Sequence, residues 1–285
     1  DALPATPHVM TNVASSAHYS TTTTNNSPTV PFRGTVAGRA MINLKSDTVT
    51  LPSREMLECC LTSPLGDDVF GEDPTVLELE EYTANLLGKE KGLFLPSGTM
   101  ANLAAILSHC RDRSSEIMVG ATSHLCLWEG GNVSNLGGIH SRQIPERNDG
   151  SIPLSALRDA YRTDDDDHFP KVELVCVENT HNNMGGAVLA TEYLRDLRAL
   201  ADEWNDVRIH MDGARLFNAV AALGIAPSQL CSCVDSVSVC LSKGLGAPVG
   251  SVLVGDEEII KLAKRARKRL GGGMRQGGGI AAMGM

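Results

Sequence analysis

The stretch "ELVCVENTHNNMGGAVLATEYLRDLRALADEWNDVRIHMDG", residues 173–213, decides the fold. It opens on a short valine-rich run, Glu173 to Glu178, and closes on a second, Val207 to Met211. Between them "TEYLRDLRALADEW" reads as a helix, with Leu194, Leu197 and Leu200 three residues apart on one side. Working outward, the same alternation continues. Val234 to Cys240 (VDSVSVC) and Ser251 to Val254 (SVLV) read as strands. "EDPTVLELEEYTANLLGK" reads as a helix with Asp73 as N-cap, Pro74 at the first helical position and Gly88 at the exit. "SGTMANLAAILSHC" reads as another, with Met100, Leu103, Ile106 and Leu107 as its apolar stripe. Strands alternating with helices predict an α/β chain built on an open, largely parallel sheet covered on both faces. Such sheets hold their ligands beyond the carboxyl ends of the strands.

The remaining composition narrows the function. A net charge of -9 and a pI near 5.4 argue against a protein that grips nucleic acid or an anionic membrane. No apolar stretch reaches the roughly 20 residues of a spanning helix. The eight cysteines include no C-x-x-C pair, and Cys176 and Cys240 lie inside apolar runs, so reduced thiols and no metal are expected. Residues 1–40, with "SSAHYSTTTTNNSPTV" inside them, are too poor in apolar residues to fold and are expected to be a disordered tail or an organellar transit segment. The expected location is cytoplasmic, or mitochondrial if that tail is a transit segment. "RTDDDDH", residues 162–168, reads as a solvated loop, and "KLAKRARKRLGGG" as a basic helix with an exposed face ending at Gly271.

Three polar clusters follow three strands: Glu178-Asn-Thr-His181, Asp212-Gly-Ala-Arg215 and Ser242-Lys243-Gly244. A lone lysine between an apolar run and a glycine turn is costly to bury unless it is paired or reacts. An aspartate and a lysine at consecutive strand ends suit pyridoxal 5'-phosphate: the amine forms a Schiff base, and the carboxylate keeps the pyridine nitrogen protonated. "PSGTMAN" supplies a phosphate cradle, with Gly98 at a helix start between the hydroxyls of Ser97 and Thr99. Taken singly, Asp212 is also a turn residue, Ser97 an N-cap and Lys243 a solvated turn lysine. His181 and His210 read as structural, and His210, two positions before Asp212 on one sheet face, as a buttress for it.

"MINLKSDTVTLPSREML", "GDDVFGEDPTV", "FLPSGTMANL", "ENTHNNMGG", "HMDGARLFNA", "CLSKGLGAPVGS" and "LGGGMRQ" together resemble the low-specificity L-threonine aldolase family, from residue 41 to the end. The resemblance implies an aspartate-aminotransferase-like (fold type I) large domain with a mostly parallel seven-stranded sheet. It implies Lys243 as the Schiff-base lysine and Asp212 as the partner of the pyridine nitrogen. Arg215 then lies near the cofactor's phenolic oxygen and the substrate, Ser97, Gly98 and Thr99 form the phosphate loop with Ser242 beside it, and Ser46 lies near the substrate carboxylate. His124 stacks on the ring. His168 and Arg275 reach the site of a neighbouring subunit in a homodimer or homotetramer. The implied reaction is retro-aldol cleavage of L-threonine or L-allo-threonine to glycine and acetaldehyde, with Lys243, His124 and His168 as catalytic residues.

Phe70 and Trp128 stand where the family usually has tyrosine. The family also continues past "GGGIAAMGM" into a small C-terminal domain, so residues 41–285 are expected to be a large domain truncated before it, with the activity of this chain alone in question. Another pyridoxal phosphate lyase or racemase, or a catalytically impaired paralogue, are the alternatives.

Overall fold

The two apolar runs that bracket residues 173–213 are neighbours in the sheet. Lys171–Glu178 and Arg208–Asp212 pair in parallel, with Leu174 opposite Arg208 and Glu178 opposite Asp212. The structure, a computed structural model, describes residues 35–36, 39–40, 43–162, 166–204 and 207–285. It divides into a unit of Asp1–Asn43 and a unit of Leu44–Met285. In the first, β1 (Thr35–Val36) and β2 (Arg39–Ala40) pair antiparallel. The expectation of a disordered tail or transit segment otherwise lies outside the described residues.

In chain order the second unit runs α1 (Arg54–Thr62), α2 (Pro74–Leu87), β3 (Lys91–Leu95), α3 (Gly98–His109), β4 (Ser115–Gly120), α4 (His124–Leu127), α5 (Asn132–Asn135), β5 (His140–Ile144) and α6 (Leu154–Ala160). It continues through β6 (Lys171–Glu178), α7 (Thr191–Asp202), β7 (Arg208–Asp212), α8 (Leu216–Leu223), α9 (Pro227–Cys231), β8 (Ser236–Cys240), β9 (Ser251–Gly255), α10 (Glu257–Arg269) and α11 (Gly278–Ala281). The seven-stranded sheet has the order β3-β9-β8-β7-β6-β4-β5. Only β9 runs against its neighbours. The expected mostly parallel sheet is present, and β7 extends one residue past the predicted run so that Asp212 is its last member.

Alternation along β7 assigns the two faces. Ile209 and Met211 pack with Leu194, Leu197 and Leu200 of α7 in the larger core. His210 and Asp212 face the other way, toward α3. That helix is clamped between the sheet and α10 by Ala101, Ala104, Ala105, Ala263 and Ala266, small residues that let the helices approach closely. The expected stripe on α3 is corrected accordingly: Ala101, Asn102, Ala104 and Ala105 are buried along with Leu103 and Ile106, because the helix has covered surface on opposite sides. Met100 and Leu107 are only partly buried.

The caps of α2 are those expected. Asp73 Oδ1 accepts from Val76 N at 3.1 Å, Pro74 follows, and Gly88 closes the helix at φ 67. Asp73 also accepts from Gly278 N at 2.9 Å, and any Cβ at position 278 would stand 2.4 Å from its carboxylate. One aspartate thus caps two helices, and glycine is required where they meet.

The reading of the basic helix as an exposed face needs one correction. Arg267 is 2 % exposed, donating to Asp68 Oδ2 at 2.7 Å and to the Phe94 carbonyl at 2.6 Å. It ties α10 to β3 and to the loop before α2, and buried charge survives there because it is paired and bonded. Beside it Glu80 accepts from Phe94 N at 2.8 Å, and burial pushes its carboxyl up to about 7 from 4.5. A raised carboxyl contributes stability below its unfolded value and loses it as pH rises through the folded one. Stability is therefore expected to fall between about pH 4.5 and 7, and Glu80→Gln, which keeps an acceptor oxygen, to gain on the order of 1–3 kcal/mol at about pH 8 with little change at pH 4. Urea unfolding at the two pH values reads this; equal gains at both would refute the titration.

All eight cysteines are free thiols. Among the described residues, no helix is long and apolar enough to cross a membrane.

Candidate active site

Register brings the strand-end clusters together. Glu178 lies opposite Asp212, and Asp212 opposite Ser238, two residues before the end of β8. The chain then turns through Ser242 and Lys243. A cavity of about 140 Å³ at this edge is lined by Ser97, Gly98, Thr99, Asn102, His124, Asp212, Ala214, Cys240, Ser242 and Lys243. Of the residues expected to hold a cofactor, it gathers all but Arg215 and Arg275.

Arg215 lines a neighbouring cavity of about 480 Å³ with Lys45, Ser46, Asp47, Thr180 and Asn182. Its Nε and Nη2 donate to the two carboxylate oxygens of Asp47, each at 2.8 Å. Those hydrogen bonds hold the Asp47 carboxyl below its ordinary range. The same turn is fastened to the lysine loop, since the Thr50 hydroxyl donates to the Lys243 carbonyl at 2.6 Å.

Local sequence explains each placement. Ser97 caps α3 by accepting from Met100 N at 3.2 Å. The amides of Gly98 and Thr99, in the first helical turn, have no partner within the helix, and both residues line the cavity. Gly98 must lack a side chain, because a Cβ would stand 2.6 Å from Cys240 Sγ. His124 starts α4 after Ser123, its cap, and its N–H donates to Glu178 Oε2 at 2.7 Å. Glu178 accepts also from Asn182 N at 2.8 Å, and burial together with Asp212 raises its carboxyl. His181 is buried and bonded to Glu146 at 3.1 Å, which in turn accepts from Thr122 N.

Sequence reasoning placed Glu178 at this edge but did not single out Asn102, Glu129 or Asp47, which the structure sets beside the expected residues. Asn102 Nδ2 donates to Asp212 Oδ2 at 2.9 Å and to Glu129 Oε1 at 2.8 Å, while Ala214 N donates to Asp212 Oδ1 at 3.1 Å. His210 does not touch Asp212; it reaches Asn102 Oδ1 at 3.1 Å and buttresses the aspartate through that amide. An asparagine among the apolar residues 100–107 of the helix was the available signal, since a buried amide must find partners. Ligand atoms of His124, Glu129 and Asp212 lie within 4.8 Å of one another. The Asn102 N–H groups aimed at both carboxylates oppose a cation and suit a hydrogen-bonded cluster.

Two expected site residues are not in either cavity. His168 is 86 % exposed at its side chain and bonded to Asp166 at 2.6 Å. Arg275 pairs with Asp67 at 2.8 Å on the surface. Phe70 and Trp128 are exposed as well.

The sheet, its strand-end lysine and aspartate and the helix opening beside them define the class, an aspartate-aminotransferase-like α/β domain. Residues 43–285 match the family model described as beta-eliminating lyase. A low specificity L-threonine aldolase from Escherichia coli O157:H7 is 51% identical over 245 residues, covering 86% of this chain and 72% of that protein. An alanine racemase from Cochliobolus carbonum is 40% identical, covering 86% of this chain and 62% of its own length. The solved threonine aldolase of Leishmania major superposes with a TM-score of 0.72 at 19% identity, over 84% of this chain and 70% of that one, which speaks to the fold. The chain belongs to the low-specificity L-threonine aldolase family of beta-eliminating lyases.

Proposed function

We propose that this chain binds pyridoxal 5'-phosphate and cleaves L-threonine and L-allo-threonine to glycine and acetaldehyde. The observation that carries the reading is one cavity walled by Lys243, Asp212 and the open first turn of α3. The residues fit the cofactor's three demands. Gly98 and Thr99 amides with the Ser97, Thr99 and Ser242 hydroxyls suit a phosphate; the Asp212 carboxylate suits a ring N–H; and the Lys243 amine suits an aldehyde. When bound, the cofactor supplies an electron-accepting ring that the lysine amine anchors.

The chain's own residues do the rest. Asp212 keeps lone pairs for the ring nitrogen after accepting from Asn102 and Ala214, because a carboxylate offers about four acceptor positions. Arg215, with two of its donor atoms held by Asp47, turns its remaining edge to the substrate carboxylate, and Ser46 lies beside it. His124 takes the β-hydroxyl proton. Its Nδ1 is engaged by Glu129 at 2.9 Å, so Nε2 is the atom left for the cavity. His168 and Arg275 are assigned to a neighbouring copy's site in a homo-oligomer, which accords with their distance from this chain's own cavity.

The test is incubation of the chain with pyridoxal phosphate and each substrate. Equal yields of glycine and aldehyde are expected, with no dependence on added metal. The 40% identity to an alanine racemase supports a second reading, and racemisation of alanine without aldehyde from threonine would select it.

A further inference from the structure

Lys243 and Asp212 were legible as chemistry, but what fixes Asp212 and His124 relative to each other is a buried amide on a different element. The geometry points to Asn102 and Glu129 as a positioning pair that sets Asp212 and His124 as one unit, Asn102 by donating an N–H to each carboxylate and Glu129 by holding His124 through Nδ1. The inference rests on the pyridoxal phosphate reading above for its catalytic meaning.

Every hydrogen-bonding position of the Asn102 amide is used. Its Oδ1 accepts from Ser238 Oγ at 2.6 Å and from His210 Nε2 at 3.1 Å. Its Nδ2 carries two protons and has two acceptors, Asp212 Oδ2 and Glu129 Oε1. Reversing the amide would set its oxygen against the carboxylates of both Asp212 and Glu129, so the orientation is fixed. The state of His210 follows from that orientation. Full burial pushes its imidazole down to about 3, so the ring is neutral, and because Asn102 Oδ1 accepts, its proton sits on Nε2. Nδ1 then accepts from Ser236 Oγ at 2.8 Å, and Ser236 accepts from His109 Nε2 at 2.8 Å. Burial likewise pushes His109 down to about 4. Donors run in one direction from α3 through the sheet and end on two carboxylates.

Glu129 continues the arrangement. Its Oε1 accepts from both Asn102 and His124 Nδ1, and its Oε2 from Asn132 Nδ2 at 3.3 Å. Facing His124 are Glu129 on its own segment, Asp212 from β7 and Lys243 from the loop after β8. The Glu129 hydrogen bond raises the imidazole against the lowering effect of burial. Burial raises Glu129 itself, with Asp212 adding to it and His124 and Asn102 opposing. A histidine so held presents one nitrogen to substrate in one tautomer, the role a carboxylate partner plays for a working imidazole.

The test uses Glu129→Gln, which keeps size and removes charge. In nitrogen-resolved NMR of the full chain, with and without pyridoxal phosphate, the His124 midpoint is expected to fall by about one pH unit, and the acid limb of kcat/KM to move down with it. Glu129→Asp is expected to restore part of the shift. Asn102→Ala is expected to weaken cofactor binding by about 10- to 100-fold; if that variant does not fold, Ser238→Ala, which removes one of two bonds holding the amide, is expected to weaken it by about threefold or more. A His124 midpoint and tautomer unchanged in Glu129→Gln would overturn the inference, as would unchanged cofactor affinity in Asn102→Ala or, in its place, Ser238→Ala. A wild-type chain that binds no pyridoxal phosphate would instead undo the functional reading, and the His124 titration of the cofactor-free chain would still decide this one.

Discussion

Lys243→Ala is expected to lower aldehyde release from L-threonine by at least about 10³-fold, because on the proposed reading it removes the amine that anchors the cofactor and puts a methyl group in its place. Loss of fold would not explain such a result. The loop's path is set by main chain: the Lys243 carbonyl accepts from the Thr50 hydroxyl at 2.6 Å and from Gly246 N at 2.9 Å, and neither bond involves the side chain. Stability is expected to change by less than about 1 kcal/mol, because the side chain is only partly buried and the one buried group it reaches, the Cys240 thiol, keeps its bond from Ser251 Oγ at 3.4 Å. Three measurements separate the outcomes: aldehyde yield, the visible band of the lysine-bound cofactor and the thermal midpoint. Retention of the band with turnover in the variant would remove Lys243 from the role given to it.

The strand-end residues were readable in the sequence because they depend on local patterns. A strand is a short β-branched run, its end is where polar residues resume, and parallel register then brings successive ends to one edge. Asp73, Pro74 and Gly88 were readable for the same reason, since caps act within one turn of the helix they close. Asn102 and Arg267 were not. Each has a partner remote in the chain: Asp212 and Ser238 for the amide, Asp68 and Phe94 for the guanidinium. A periodicity argument sees both as the polar side of a helix. It cannot see that α3 and α10 are covered on more than one side, which turns a polar side chain from solvated into obligatorily bonded. Glu129 was hidden differently. Within "LCLWEGG" it looks like a loop acid, and only the fold shows it buried beside Asp212.

Asp212→Asn tests whether the charge at that strand end matters or only its shape. An asparagine fits the space but cannot reproduce the contacts. The carboxylate accepts from Ala214 N on one oxygen and from Asn102 Nδ2 on the other, and an amide has a single oxygen. If that oxygen stays with Ala214, the new NH₂ faces the NH₂ of Asn102; if it turns to Asn102, the Ala214 N–H is stranded. Either way one donor loses its partner, at about 1–3 kcal/mol for the buried Asn102 amide and less for the part-buried Ala214 N–H. The larger expected effect is chemical. On the proposed role of Asp212 as the negative partner of the ring nitrogen, kcat/KM is expected to fall by about 10²- to 10³-fold, the size of losing one charge-stabilising contact in a catalytic site. Lys243 is untouched, so the visible band is expected to persist, which sets this variant apart from Lys243→Ala. If Asn102 acts through Asp212, the loss in Asn102→Ala and the loss in Asp212→Asn will not add in the double variant, whereas independent roles predict additivity to within a few tenths of a kcal/mol. A fully additive cycle, or an Asp212→Asn enzyme with undiminished kcat/KM, would mean that the amide and the carboxylate are neighbours without being partners.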